Sequence, residues 1–295
     1  MEALAARIEA LIAEDVGRNI APLAEAARGG LFGAAASLAG ASAPHVGILT
    51  GFYIPGGDPP AAETDGPPGA ALLAKALTDL GIPVRFLTDP SCRRGCAAAL
   101  RAAGVGNVPI DTSGPQAAIE TWRSAGVTHA LAIERPGRTA DGTLRNMRGM
   151  DIGAFCRPLD DVFLAGPWRT IAVGDGGNEV GMGALPAGLI AEHVALGAKI
   201  ACTTAAEFPI VAGVSHWGAY ALLGMLGALR PDWLGAILPV LEPDFDRMVV
   251  ERMVADGPAV DGVTLRHEPT IDGLTMSVHT AKSLAIQAAA GLSPP

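Results

Sequence analysis

Aromatic side chains are scarce in this chain, at 4% of residues, and basic ones are outnumbered: 21 Lys and Arg stand against 30 Asp and Glu. The first shortage leaves Ala, Val, Leu and Ile to fill the core, which suits helices packed closely on a sheet. With hydrophobic residues at 49% of 295, there is enough to bury, and disorder is excluded. The second shortage gives a net charge of -9. A phosphate backbone needs a basic face, so no nucleic-acid partner is expected. Cysteine is rare as well. Cys92, Cys96, Cys156 and Cys202 make neither a disulfide framework nor paired CxxC zinc units. Reduced thiols in a cytoplasmic protein are the expectation.

Long apolar runs are nearly missing too. The N-terminal stretch MEALAARIEALIAEDVGR is acidic and patterned as a helix, with Leu4, Ile8, Leu11 and Ile12 on one face, unlike the basic start and apolar run of a secretory leader. Phe208 to Leu229 lacks Asp, Glu, Lys and Arg, but Pro209, several glycines and His216 interrupt it. It reads as a loop followed by a buried core helix, so no membrane partner is expected. Internal repeats, low-complexity linkers and a GxSxG elbow are also absent.

What is present is an alternation. After two or three helices up to about residue 41, broken at Asp15 to Arg18 and at Gly29-Gly30, short apolar runs occur at 45–52, 83–89, 128–134, 169–175 and 198–204. Helical segments fit 68–80, 92–103, 114–125, 187–196 and 214–229, followed by a helix at 243–256, a short β segment near 260–273 and a final helix. Continuous apolar strands separated by helices predict a single α/β domain over 1–295, a doubly wound, mostly parallel Rossmann-like sheet with helices on both faces. Ligands of such sheets bind beyond the carboxyl ends of the strands, where Asp89, Glu134, Asp175 and Thr203-Thr204 are expected.

Three loops carry chemistry. In ETDGPPG, Glu63, Thr64 and Asp65 precede a helix start; Asp65 suits either a cap for that helix or a binding role. IERPGR puts Glu134 at a strand end with Arg135 and Arg138 after it, suited to clamping a substrate carboxylate or to pinning the loop by an ion pair. Asn146 and Arg148 follow in a polar stretch. GDGGNEVGMG is the most specific: the amides of Gly176, Gly177 and Asn178 can approach a ligand closely, yet Asp175 and Glu179 share the loop. Two acids there favour a divalent cation or a substrate ammonium over phosphate. Ser215 and His216 open a core helix, and His216 suits proton transfer or a structural hydrogen bond.

TGF at 50–52, ETDGPPGA at 63–70, IERPGR at 133–138, NMRGMD at 146–151, GDGGNEVGMG at 174–183, SHWGAY at 215–220 and the DG pairs at 261–262 and 272–273 together resemble the D-glutamate cyclase family. His216 departs from the pattern, where Asn is more usual. The resemblance implies a lyase that cyclises D-glutamate to 5-oxo-D-proline and water. Glu134, Asp175 and Glu179 are then the catalytic candidates. Glu63, Thr64, Asp65, Arg135, Arg138, Asn146, Arg148, Gly176, Gly177, Asn178, Ser215 and His216 are candidates for substrate binding. Asp175 and Glu179 are the pair to hold a cation such as Mg or Mn, although no cofactor is required by the pattern. A small-molecule substrate is implied, and a homo-oligomer is compatible with the chain. A metal-dependent hydrolase of a small anionic ester or amide, and a non-catalytic amino-acid or nucleotide binder, are the competing readings.

Overall fold

Most of the apolar runs expected to build a covered parallel sheet do so in the computed structural model, which describes residues 1–292. The strands are β1 (Val46–Thr50), β2 (Val84–Leu87), β3 (Ile110–Asp111), β4 (His129–Ile133), β5 (Arg169–Gly174) and β6 (Phe208–Val211). Their spatial order is β3-β2-β1-β4-β5-β6, and every neighbouring pair is parallel. This is the order of a doubly wound α/β sheet, with the direction of winding reversing between β1 and β4.

Alternate residues of each strand feed two cores on opposite faces. Ile48, Leu131, Ile133, Ile171, Val173 and Ile210 join one; Leu49, Ala130, Ala132, Ala172 and Val211 join the other. The second face is lined by small residues because large rings press on it. Trp122 and Trp168 meet edge to face there, with ring centroids 5.4 Å apart. At Gly47 an added Cβ would lie 2.5 Å from the Trp122 ring. On the first face lie the helices Gly30–Gly40, Pro67–Asp79 and Ser215–Leu229. The last is apolar all round and buried almost throughout, as such a helix must be. Gly218 lets it touch β5, since a Cβ there would lie 2.3 Å from Val173.

The N-terminal helices Glu2–Ile12, Ala21–Ala26 and Gly30–Gly40 break where expected. The tail supplies the helix Pro243–Asp256, an antiparallel pair of two-residue strands at Thr270–Ile271 and Leu274–Thr275, and the helix Met276–Ala290. The edge strand Ile110–Asp111 was not expected, and two further expectations need correcting. The run 198–204 is not a strand: Gly197–Ile200 forms a single helical turn, and the helix expected at 187–196 shrinks to Leu189–His193. The last strand is instead Phe208–Val211, within the stretch expected to be loop. Proline cannot donate to a ladder, so Pro209 is tolerated because β6 is an edge strand. The helix Gly30–Gly40 covers that edge, so closely that a Cβ on Gly30 would lie 1.8 Å from the Pro209 carbonyl oxygen. Among the described residues, no single helix is long and apolar enough to cross a membrane.

Candidate active site

Four acids converge because the elements that carry them end on one edge. Glu134 follows β4 and Asp175 follows β5, while Glu63 and Asp65 lie in the crossover from β1 to the helix Pro67–Asp79. One carboxylate oxygen each from Asp65, Glu134 and Asp175 lie within 4.8 Å of one another, and all three residues are buried. The place is the reversal between β1 and β4, where a doubly wound sheet opens a crevice.

The helix Ser215–Leu229 holds this cluster in register. Asp65 accepts the N–H groups of Ser215 and His216, both at 2.9 Å, and that of Gly66 at 2.7 Å. Asp65 therefore caps the helix opposite rather than the one that follows it. Asp175 accepts the Ser215 N–H at 3.1 Å and pairs with Arg18 at 3.1 Å. The Ser215 hydroxyl donates to Glu134 at 2.6 Å. Carboxylates at a helix N-terminus are favoured by its partial positive charge. Glu134 takes a left-handed backbone conformation, φ 43°, which costs a non-glycine residue about 1–3 kcal/mol and is typical of functional sites.

Crowding acids in a dry place makes each harder to ionise. Burial, with Asp272 next, pushes Asp65 up to about 6. Glu63 is raised well above the usual carboxylate range by burial, Asp272 and Asp65. Burial raises Glu134, with Glu179, Asp65 and Glu63 adding to it. Burial raises Asp175 too, and Arg18 only partly offsets this. Glu63 differs from its neighbours in one respect: its side chain meets no hydrogen-bond donor among the described residues.

All of these raised acids except Asp65 border a cavity of about 230 Å³. Its acidic wall is Glu63, Glu134 and Asp175, and its cations are Arg18 and Arg148. Asn146, Met147, Asn178 and the apolar Phe52, Ile54 and Val263 complete it. Drug-sized ligands occupy about 300–1,000 Å³, so this space suits a smaller molecule. The Asn178 side-chain oxygen is buried without a partner, and Asn178 Nδ2 donates to the Arg145 carbonyl at 2.9 Å.

The remaining expected residues lie elsewhere or are already engaged. Glu179 turns back on its own loop, accepting the N–H groups of Gly176 at 2.9 Å and Gly177 at 2.8 Å. Those amides are therefore not free to hold an oxyanion. Burial raises the Glu179 carboxyl as well. Arg135 is fully buried against Asp89 at 2.5 Å, with further bonds to the carbonyls of Gly51 and Arg157, and does not border the cavity. Arg138 pairs with Asp161 and, at 3.7 Å, with Asp160. Thr64 is buried with its hydroxyl unpartnered. His216 bonds Asp246 at 2.9 Å within the core, and Tyr220 donates to the same carboxylate. Sequence reasoning missed Arg18, which sits in a break between helices, and Asp272, which was visible only as half of a DG pair.

A family model described as D-glutamate cyclase-like, C-terminal, matches residues 8–286. The chain is 38% identical over 205 residues to the Homo sapiens protein named D-glutamate cyclase, mitochondrial. That alignment covers 63% of this chain and 33% of the relative, so the chain spans about a third of the relative's length.

Proposed function

Since the chain belongs to the D-glutamate cyclase-like, C-terminal family, we propose that its buried carboxylate cavity cyclises D-glutamate to 5-oxo-D-proline with loss of water. The observation that carries this reading is the meeting of Asp65, Glu134 and Asp175 beside a small cavity that also presents Arg18 and Arg148. An amino dicarboxylate has one cation and two anions to be matched. The acids receive the ammonium, and Arg148, whose guanidinium donates to the Gly262 carbonyl at 3.0 Å, has further donors for a carboxylate.

Ring closure moves two protons from nitrogen to the departing oxygen while the N–C bond forms and a C–O bond breaks. Glu63 is the group for that traffic. It borders the cavity, no donor ties it down, and burial raises its proton affinity well above that of an ordinary carboxylate, which favours it as a proton acceptor. Glu134 and Asp175, which border the cavity, orient the amine, and Asp65 holds the helix end beside them.

The same three carboxylates match the oxygen-rich donor set of Mg²⁺ or Mn²⁺, and a divalent charge would offset their mutual repulsion. Asp65, Glu134 and Asp175 would hold it, rather than the pair Asp175 and Glu179, because it is their oxygens that lie within 4.8 Å of one another. Such an ion would take the ammonium's place at these carboxylates and would supply polarisation of the reacting carboxyl. The four buried, unpaired thiols suit a reducing compartment such as the cytosol.

The deciding experiment incubates folded protein with D- or L-glutamate, with and without Mg²⁺ or Mn²⁺, and follows oxoproline by mass. Product from the D-enantiomer supports the reading. Absence of product from both, with either metal present, ends it.

A further inference from the structure

We infer that Arg18 is a positioning residue that fixes the Asp175 carboxylate from outside the α/β sheet and is itself clamped by Asp272. The inference rests on the cavity being the reaction site proposed above. Arg18 belongs to the loop after the first helix, far in sequence from every acid it meets. Both oxygens of Asp272 accept from its guanidinium at 2.8 Å, the Gly213 carbonyl accepts at 3.0 Å, and Asp175 lies at 3.1 Å.

The geometry is locked at both ends. Asp15 accepts the N–H of Arg18 at 2.8 Å and that of Gly17 at 3.1 Å, which fixes the turn presenting the arginine. Asp272 sits in the tight turn before Gly273 with φ 54°, a left-handed conformation that few residues adopt. Asp175 has no other side-chain donor among the described residues; its remaining bond is the Ser215 N–H. Without the guanidinium, its carboxylate would face Glu134 and Asp65 with one amide to hold it. A planar fork reaching three acceptors at once is something Lys cannot reproduce.

The test compares wild type with Arg18→Lys, Arg18→Ala, Asp272→Asn and the Arg18→Lys/Asp272→Asn double variant. Orienting partners of this kind are worth about 10–100-fold. The expected result is a fall of that order in kcat for each single variant, with KM for D-glutamate changed less than about threefold. The double variant should be no worse than the weaker single, and methylguanidinium should restore part of the activity of Arg18→Ala. A rise in KM matching or exceeding the loss in kcat would make Arg18 a direct clamp on substrate and overturn the inference, as would wild-type kinetics in Arg18→Lys. Crystal structures of wild type and Arg18→Lys give a readout free of turnover: Asp175 should leave the Ser215 N–H in the variant. An unmoved Asp175 refutes the positioning role. Wild-type protein that makes no oxoproline refutes the proposed reaction and leaves this structural outcome to be read separately.

Discussion

Among the acids of the site, hydrogen bonding separates those tied to the backbone from the one left free. Asp65 and Glu179 spend their oxygens on backbone amides, whereas Glu63 spends none. Glu63→Gln keeps the shape and removes the proton carrier. It should lower kcat by about 10²–10⁴-fold with an unchanged melting temperature, measured by oxoproline formation. A second residue-scale prediction concerns His279. Burial, then the nearby His216, pushes its imidazole down to about 4, against which Asp246 acts weakly. It accepts from the Trp217 indole at 2.9 Å, so it is held neutral. Between pH 6.5 and 4 the unfolded chain takes up this proton and the folded one does not, so stability falls on acidification through that window. The limit is about 3 kcal/mol. His216 works in the opposite sense. Burial opposes its charge, but the pair with Asp246 outweighs burial and raises it, so its contribution is present in acid and fades as pH rises. Denaturant melts of His279→Gln from pH 7 to 4 should show a flatter slope than wild type; an equal slope rejects the assignment. At this scale the sequence showed which loops hold acids, because strand ends are readable. It hid Arg18, whose partners depend on tertiary docking alone.

The elements were legible wherever pattern and burial agreed. The helix Pro243–Asp256 falls where its pattern places it, and β1, β4 and β5 match their apolar runs to within a residue or two at most ends. The error at the sixth strand has a cause. Residues 198–204 are apolar and β-branched in part, while Phe208–Val211 carries a proline that demotes it in any sequence reading. Only the sheet order reveals that this proline faces an edge under a helix. Small residues were also readable as composition but not as contacts. Gly218→Val should wedge the helix Ser215–Leu229 off β5 and cost about 1–3 kcal/mol by overpacking, seen as a lower melting temperature. Because the same helix carries Ser215, activity should fall with it. A variant as stable as wild type would contradict the 2.3 Å approach to Val173.

For the whole molecule, acids outnumber bases by nine, and some of those acids lie inside, where ionising them costs most. A divalent ion bound only by the folded protein must therefore stabilise it. At a free concentration one hundred times its Kd, linkage adds about 2.7 kcal/mol. Thermal unfolding of EDTA-treated protein should move up by several degrees with Mg²⁺ or Mn²⁺, and Asp175→Asn should lose that gain. No shift at millimolar concentration with either ion removes the cation from the scheme. The doubly wound, parallel class and the strand edge that carries the crevice were within reach of the alternating pattern. The clamp on Asp175 was not, because Arg18 and Asp272 lie far apart in sequence and meet only in the folded chain.

That clamp has a consequence in time. Arg18 and Asp272 are 254 residues apart, yet they share two hydrogen bonds beside the reacting groups. A contact spanning so much chain is costly to form early, since the entropy of joining distant segments must be met before the contact returns anything. Secondary structure can assemble around the sheet first, strand by strand. An Asp175 carboxylate held in this way is expected only once residues 18 and 272 have met, so refolding should restore secondary structure before it restores activity.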